Sequence, residues 1–244
     1  SIVANQANGP ALVVDESNLN ANASASVSSL FTSSYGADGA GSLVYKVVAS
    51  SQGGDSGLSV TNGDKVYLFN ENGGVVGRVG GAGGAIAFTV TVNNGNVTLD
   101  QQMALKHPDG ANPDDVLSIA GGKISLTATI TDGDGDSHSA SVELGSQLSF
   151  HDDGPSITAS LQGAPALTVD ESNLGSDASA NVTSLFTSSY GADGAGSLVY
   201  KVVAAAEGSD SGLRVTNGDK IFLFNENGGV VGRVGGSGGA IAFT

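Results

Sequence analysis

The chain has 244 residues, 38 of them glycine, and its 24 acidic and 9 basic side chains give a formal net charge of −15. That charge argues against nucleic acid and anionic membrane surfaces as partners and leaves metal cations and basic partners. The absence of cysteine excludes disulfides and thiolate metal sites, and no run approaches the roughly 20 apolar residues of a membrane helix, so we expect no membrane insertion of this segment.

Short segments in which apolar and polar residues alternate recur along the chain and predict β-strands. Asn-, Asp- and Gly-rich turn sequences separate these segments. Residues 112–119 favour either a short helix or a turn, because Asn112 is followed by proline and two acids. The pattern predicts an all-β chain, and strands at this spacing indicate a β-sandwich of immunoglobulin-like type. The predicted strands are 42–48, 65–70, 85–92, 123–131, 139–144 and 147–150.

The sequence repeats itself with an offset of 155 residues. The segment LFTSSYGADGAGSLVYKVVA, which starts at Leu30, recurs unchanged from Leu185, and only 20 of the 89 aligned positions differ. We therefore predict one complete repeat over residues 1–155 and the first part of a second, near-identical repeat over 156–244, taken from a longer tandem array. Such an array favours a mechanical or display role over catalysis, so we expect no enzyme activity.

An acidic loop joins two of the predicted strands in TATITDGDGDSHSASVEL. Asp132, Asp134 and Asp136 alternate with glycines there, which places three carboxylates at a hairpin tip. Carboxylate oxygens in such a loop suit Ca²⁺, which takes six to eight oxygen ligands. An EF-hand does not fit, because its sixth position would be Ser137 and an extended strand carries Glu143 away from the loop.

The segment HDDGP supplies further acids at the end of the repeat. If the chain turns after Leu144 and runs back antiparallel, Asp152 and Asp153 arrive beside the acidic loop and five carboxylates meet at one pole. Their mutual repulsion would be relieved by a cation. Because the next repeat begins at this pole, we predict Asp170 and Glu171 of its DES motif as candidates to complete the ligand shell.

Two further pairs of acids recur at equivalent positions of the repeat. Asp15 and Glu16 form the DES motif of the first repeat and would face a preceding repeat. Asp38 and Asp193 lie in the two GADG loops, where either a calcium site or a plain turn fits the residues. Both interpretations stay open for that pair.

The remaining motifs have ordinary structural explanations. A zinc site needs histidines that converge, and we expect His107, His138 and His151 to be solvated residues at strand ends. The glycine-rich stretch 73–88 lacks both the strand-turn-helix context and the downstream acid of a dinucleotide site. We interpret that stretch as hairpin loops.

Residues 127–157, TATITDGDGDSHSASVELGSQLSFHDDGPSI, resemble the tandem repeats of large calcium-dependent RTX adhesins, the biofilm-associated proteins that Gram-negative bacteria export by type I secretion. LTVDES from Leu167 and LKHPDG from Leu105 support the resemblance. It implies extracellular β-sandwich extenders, with calcium in or between the domains, that project an adhesive tip from the cell. The nonapeptide G-G-x-G-x-D of RTX proteins is absent, so we expect no parallel β-roll.

These inferences predict a structural extender module on the bacterial cell surface. We expect a monomer whose partners are calcium and the neighbouring repeats of the same chain. The alternative is a repeat that itself binds a glycan or another adhesin chain. The lack of Trp and the five Tyr residues count against exposed sugar contacts.

Overall fold

The computed structural model describes residues 1–6 and 9–244. The described part contains strands and short 3-10 helices but no α-helix, which confirms the predicted all-β class. No helix in these ranges is long and apolar enough to cross a membrane. The strands are β1 (Ile2–Ala4), β2 (Leu12–Asp15), β3 (Ala23–Ser26), β4 (Phe31–Ser33), β5 (Ala40–Ala49), β6 (Gly54–Ser59), β7 (Lys65–Glu71), β8 (Gly74–Val79), β9 (Ile86–Asn93), β10 (Asn96–Gln101), β11 (Val116–Ser118), β12 (Ile124–Asp132), β13 (Ser137–Glu143), β14 (Leu148–His151), β15 (Ser156–Ala159), β16 (Phe186–Ser189), β17 (Ser209–Arg214), β18 (Lys220–Glu226), β19 (Gly229–Val234) and β20 (Ile241–Phe243). The 3-10 helices that lie wholly within the described residues are Glu16–Asn18, Ser28–Leu30, Gly145–Gln147, Glu171–Asn173 and Thr183–Leu185.

All six strands predicted from alternation are present, as β5, β7, β9, β12, β13 and β14. Residues 112–119 form no helix. A turn there leads into β11, because the Asn112 side chain accepts a hydrogen bond from the Asp114 backbone N–H at 3.2 Å and closes the turn locally. The turn interpretation of this segment is therefore confirmed.

Contacts divide the chain into two compact units, Ser1–Ala195 and Gly196–Thr244. The first unit contains the complete repeat and continues into the second repeat. The second unit is one antiparallel sheet in the order β17-β18-β19-β20. Its β18–β19 hairpin has the same pairing as β7–β8, 155 residues earlier, as expected from two nearly identical segments.

The first unit has a sandwich-like architecture built around one principal core. A six-stranded sheet has the order β3-β10-β9-β8-β7-β6, and two three-stranded sheets have the orders β13-β12-β5 and β11-β14-β2. Phe88 of β9 and Phe150 of β14 belong to different sheets, are fully buried, and have ring centroids 5.3 Å apart. Packing between the sheets therefore buries the alternating apolar residues of both.

The acidic loop joins β12 to β13 as the sequence predicts. The two strands pair antiparallel, with Leu126 opposite Val142, and the inward residues of β12 are buried. Asp132 is the last residue of β12 and Ser137 the first of β13, so the tip is a tight turn. Apolar alternation has determined the register of this hairpin.

The strand that follows takes a different course from the predicted one. β14 does not return beside β13, but pairs parallel with β2 and antiparallel with β11. The 3-10 helix Gly145–Gln147 carries the chain to the other layer, and the Glu143 carboxylate accepts hydrogen bonds there from Ser146 and Gly122. In that layer the side chains of Leu148 and Phe150 are buried. Pairing at the edge of the β12–β13 hairpin would not give them the same burial.

The second repeat begins with the same pairing as the first. β15 pairs with β16 as β1 pairs with β4, with Ile157 opposite Ser188 and Ile2 opposite Ser33. The counterpart of β5, residues 195–204, forms no strand. In the first repeat β5 pairs with β12, and the sequence contains no second copy of β12.

Candidate metal sites

Two groups of potential metal ligands lie within the first unit. In each group one ligand atom from every member lies within 4.8 Å of the others. The hairpin cluster consists of Asp38, Asp132 and Asp134, and the junction cluster consists of Glu16, His107 and Asp152. The two clusters share no residue, so the five predicted carboxylates do not form one group at ligand distance.

The hairpin cluster joins the acidic loop to the first GADG loop. The Asp132 backbone N–H donates to the Asp136 carbonyl at 3.0 Å, and the Asp136 N–H donates to the Asp132 carboxylate at 2.9 Å. The Gly133 N–H donates to the Gly39 carbonyl at 3.2 Å. A side chain at position 133 would collide with the Asp38 carbonyl, so glycine there permits the close approach of the two loops.

The hairpin cluster offers oxygen ligands only. Asp38 and Asp134 are exposed and Asp132 is half-buried, so water has access to complete a coordination shell. An all-oxygen, partly hydrated site suits a hard cation such as Ca²⁺. Asp38, which the sequence left open between ligand and turn, is thus a member of the cluster, whereas Asp136 contributes backbone groups to the turn.

The junction cluster is built on a buried carboxylate. Glu16 lies in the 3-10 helix after β2 and is 2% exposed. Its Oε1 accepts hydrogen bonds from Gln101 Nε2 and from the Leu105 backbone N–H, both at 2.8 Å. Its Oε2 is buried without a hydrogen-bond partner. Burial raises the pKa of Glu16, and the two hydrogen bonds act in the opposite direction.

His107 belongs to this cluster although the sequence predicts a solvated histidine. Its side chain is 2% exposed, and its Nε2 lies 3.5 Å from Glu16 Oε1. Neither ring nitrogen has a hydrogen-bond partner. The prediction is wrong because hydrogen bonds from Leu105 to Glu16 and from Lys106 to the Ser59 carbonyl hold this segment against the core.

The end of the repeat brings Asp152 to the same place. The Asp153 backbone N–H donates to the Asp152 carboxylate at 2.9 Å, and Gly191 of the second repeat lies against the Asp153 carbonyl. Asp193 follows in the same loop as Gly191. Burial raises the pKa of Asp193, and the neighbouring charge of Asp152 raises it further. The second repeat therefore places a carboxylate beside the end of the first.

The remaining predicted ligands lie outside both clusters. Asp15 and Asp170 cap equivalent 3-10 helices by accepting a hydrogen bond at 2.8 Å from Ser17 and Ser172. These hydrogen bonds lower the pKa of both carboxyls. Glu171 is exposed and belongs to neither cluster.

The two DES motifs therefore differ in surroundings despite their identical sequence. Glu16 was predicted to face a preceding repeat, but it faces the interior of its own, where Gln101 and Leu105 hold it. Glu171, by contrast, is exposed. The loop of the second repeat that contacts the end of the first contains Asp193, not Asp170 or Glu171.

One sequence signal could have identified His107. In LKHPDG, Leu105 and His107 are two residues apart, so an extended backbone places both on the same face. Leu105 is fully buried and pairs through an isolated bridge with Val60. A histidine on the same face as a core leucine is a candidate for burial. The polar residues around it in this motif suggest a solvent-exposed loop instead.

These features define a tandem β-sandwich-like repeat with one carboxylate cluster at a hairpin and a second cluster at the repeat end. A family model described as a domain of unknown function (DUF5801) matches residues 11–145 and 166–244, and the chain belongs to this family. The two matches begin 155 residues apart, at the same position of the internal repeat. No curated protein and no solved structure matches the chain.

Proposed function

We propose that the chain is a structural extender module of a bacterial cell-surface adhesin, in which bound divalent cations make the repeats and their junctions rigid. The observation that carries the proposal is the contact between the GADG loop of the second repeat and the end of the first, where Gly191 lies against the carbonyl and carboxylate oxygens of Asp153. Asp193 belongs to the same loop, two residues after Gly191, and Asp152 of the junction cluster precedes Asp153 directly. A cation bound there connects consecutive repeats.

Electrostatics explains why a cation would stabilise this arrangement. At neutral pH the chain carries a formal charge of −15, and both clusters bring carboxylates within 4.8 Å of each other or of a histidine. Close like charges oppose the ordered arrangement unless a cation neutralises them. A cation that binds only the ordered state stabilises it by mass action. Rigidity would therefore depend on the cation concentration outside the cell.

The hairpin cluster suits the calcium part of the proposal. Its ligands are exposed carboxylates on a turn, and extracellular modules bind Ca²⁺ with dissociation constants of about 10⁻⁴ to 10⁻³ M. Ca²⁺ there would fix the GADG loop to the β12–β13 hairpin within one repeat. The junction cluster then acts between repeats, so the two sites stiffen different parts of the array.

The experiment compares the 244-residue chain in millimolar Ca²⁺ and in EDTA by small-angle scattering and thermal unfolding. We expect Ca²⁺ to raise Tm by several degrees and to narrow the distribution of molecular dimensions. The variant with Asp132→Asn and Asp134→Asn should lose most of the Ca²⁺ response. Asp177→Asn, which removes an exposed charge outside both clusters, is the matched control. Identical profiles in Ca²⁺ and EDTA would refute the proposal.

A further inference from the structure

We infer that the junction cluster is a mixed nitrogen and oxygen site for a first-row transition-metal dication of the Zn²⁺ class, formed by Glu16, His107 and Asp152 of one repeat and completed by Asp193 of the next. The inference rests on the proposed function, because it identifies the cation that would join two repeats. It replaces the calcium that the sequence predicts at this junction.

The donor set distinguishes the two cation classes. Ca²⁺ binds oxygen ligands almost exclusively, whereas imidazole nitrogen suits Zn²⁺, Ni²⁺, Cu²⁺ and Fe²⁺. A ring nitrogen of His107 lies within 4.8 Å of carboxylate oxygens of both Glu16 and Asp152. Ligands at about 2.0 to 2.2 Å from a tetrahedral Zn²⁺ are compatible with that spacing. The hairpin cluster has no nitrogen donor and keeps its preference for a hard cation.

The hydrogen bonds around Glu16 satisfy one carboxylate oxygen and leave the other without a partner. Gln101 and Leu105 both donate to Oε1, so this oxygen is satisfied and the carboxylate plane is fixed. Oε2 is buried and has no partner. Metal-ligating carboxylates are commonly oriented by such second hydrogen bonds. A metal at Oε2 would offset the cost of burying an unpaired charged oxygen.

An ion pair between a protonated His107 and Glu16 is the alternative without a metal. It would require the imidazolium to donate hydrogen bonds from its ring nitrogens. The Nε2 to Oε1 distance is 3.5 Å, and neither ring nitrogen forms a hydrogen bond, although the side chain is almost fully buried. Two unpaired nitrogens and an unpaired carboxylate oxygen at one buried place favour a shared cation over a pairwise contact.

The fourth ligand comes from the second repeat. Asp193 is the acid of a loop whose Gly191 packs against Asp153, the residue after the ligand Asp152, so we assign its carboxylate as the fourth ligand. Structural zinc sites are closed by four protein ligands. With three ligands from one repeat and one from the next, metal binding would require the two consecutive repeats to hold a fixed position relative to each other.

The test measures metal selectivity in the complete 244-residue chain. The protein is stripped with EDTA, dialysed, saturated with millimolar Ca²⁺ to fill oxygen sites, and titrated with Zn²⁺ by calorimetry. Zinc is followed in parallel by the imidazole ¹⁵N signals, which are assignable because the chain has three histidines. We expect one equivalent of Zn²⁺ to bind in the presence of Ca²⁺ and to shift the His107 signals.

Four variants separate ligation from folding. Glu16→Gln retains an oxygen for Gln101 and Leu105 but loses the charge, and Asp193→Asn is a conservative change at an exposed residue. We expect His107→Gln to weaken Zn²⁺ binding about 100-fold and Asp193→Asn about 10-fold, because loss of even an outer-shell partner of a metal ligand costs about 10- to 100-fold in affinity. His138→Gln, on exposed β13, is the matched control and should bind Zn²⁺ as the wild type does.

Three results would overturn the inference. These are displacement of Zn²⁺ by millimolar Ca²⁺, unchanged Zn²⁺ affinity in His107→Gln and Glu16→Gln, and His107 signals that do not respond to Zn²⁺. A junction that binds only Ca²⁺ would overturn the metal class but leave the extender function intact. A scattering profile that does not depend on Ca²⁺, together with Zn²⁺ binding at the junction, would overturn the extender function but support the metal class.

Discussion

Asp38 and Asp193 occupy the same position of the repeat, 155 residues apart, but they lie beside different partners. Asp38 groups with the acidic loop of its own repeat, and Asp193 lies in the loop whose Gly191 contacts Asp153 at the end of the preceding one. Because the repeats are nearly identical, each GADG loop in a continuous array would lie between a hairpin cluster and a junction cluster. A cation bound at one site would then restrict the loop and favour cation binding at the next site.

The matched pair Asp38→Asn and Asp193→Asn tests this division. We expect Asp38→Asn to weaken Ca²⁺ binding at the hairpin cluster about tenfold, which lowers the stabilisation by saturating Ca²⁺ by about 1.4 kcal/mol. Asp193→Asn should leave the Ca²⁺ response unchanged, since its carboxylate lies at the other cluster. Urea unfolding at several Ca²⁺ concentrations measures both. Equal losses in the two variants would show that the loops do not have separate roles.

Gly133→Ala tests the contact between the acidic loop and the GADG loop. An added Cβ would collide with the Asp38 backbone carbonyl, so the loops must separate and the carboxylates of the hairpin cluster move apart. We expect at least a tenfold loss of Ca²⁺ affinity in calorimetry. Gly121→Ala is the control, because a Cβ at that position meets no atom within 4 Å. Unchanged affinity in Gly133→Ala would mean that Asp38 is not a ligand.

The strands were predictable because alternation is a local property. Ile124, Leu126 and Ala128 recur every second residue and are all buried, so their strand and its inward face follow from the sequence. The strands that pair with β14 could not be predicted from the sequence in the same way. Leu148 and Phe150 show which face of β14 is buried, but several sheets offer an apolar surface to that face, and only the packing of the whole repeat selects β2 and β11.

The two candidate sites also differ in how far the local sequence predicts them. The hairpin cluster depends on a local turn, so two of its three members were evident from the DGDGD motif. The junction cluster depends on contacts between residues far apart in sequence, such as Glu16 with Leu105. Burial of His107 results from that contact, and the local indication of it is the apolar Leu105 two residues earlier in the chain.

Glu71→Gln tests the ion pair that recurs in both repeats. Arg78 donates to both Glu71 oxygens, with Nη2 to Oε2 at 2.6 Å, and Arg233 and Glu226 form the same pair. The hydrogen bond from Arg78 lowers the pKa of Glu71 below its ordinary value of 4.5. The stabilisation is therefore complete above pH 4.5 and is lost as the pH falls through the lowered pKa.

We accordingly expect Glu71→Gln to lower Tm at pH 7 and the two melting curves to converge in acid. Thermal unfolding of both proteins between pH 7 and pH 3 measures the difference. Asp177→Asn, which removes an exposed charge without an ion pair to Arg, should show no such convergence. A Tm difference that stays constant over this pH range would contradict a role for the ionised carboxylate.

Leu12→Ala and Leu167→Ala apply one substitution to equivalent positions of the two repeats. Leu12 is 1% exposed in the principal core, whereas Leu167 is 61% exposed. Removing a buried leucine side chain costs about 2 to 5 kcal/mol through lost burial and the cavity left behind. An exposed substitution usually changes stability by no more than about 0.5 kcal/mol. Urea unfolding followed by circular dichroism gives both values. Similar losses for the two variants would show that Leu167 is buried in solution and that the second repeat completes its core by a contact this structure does not contain.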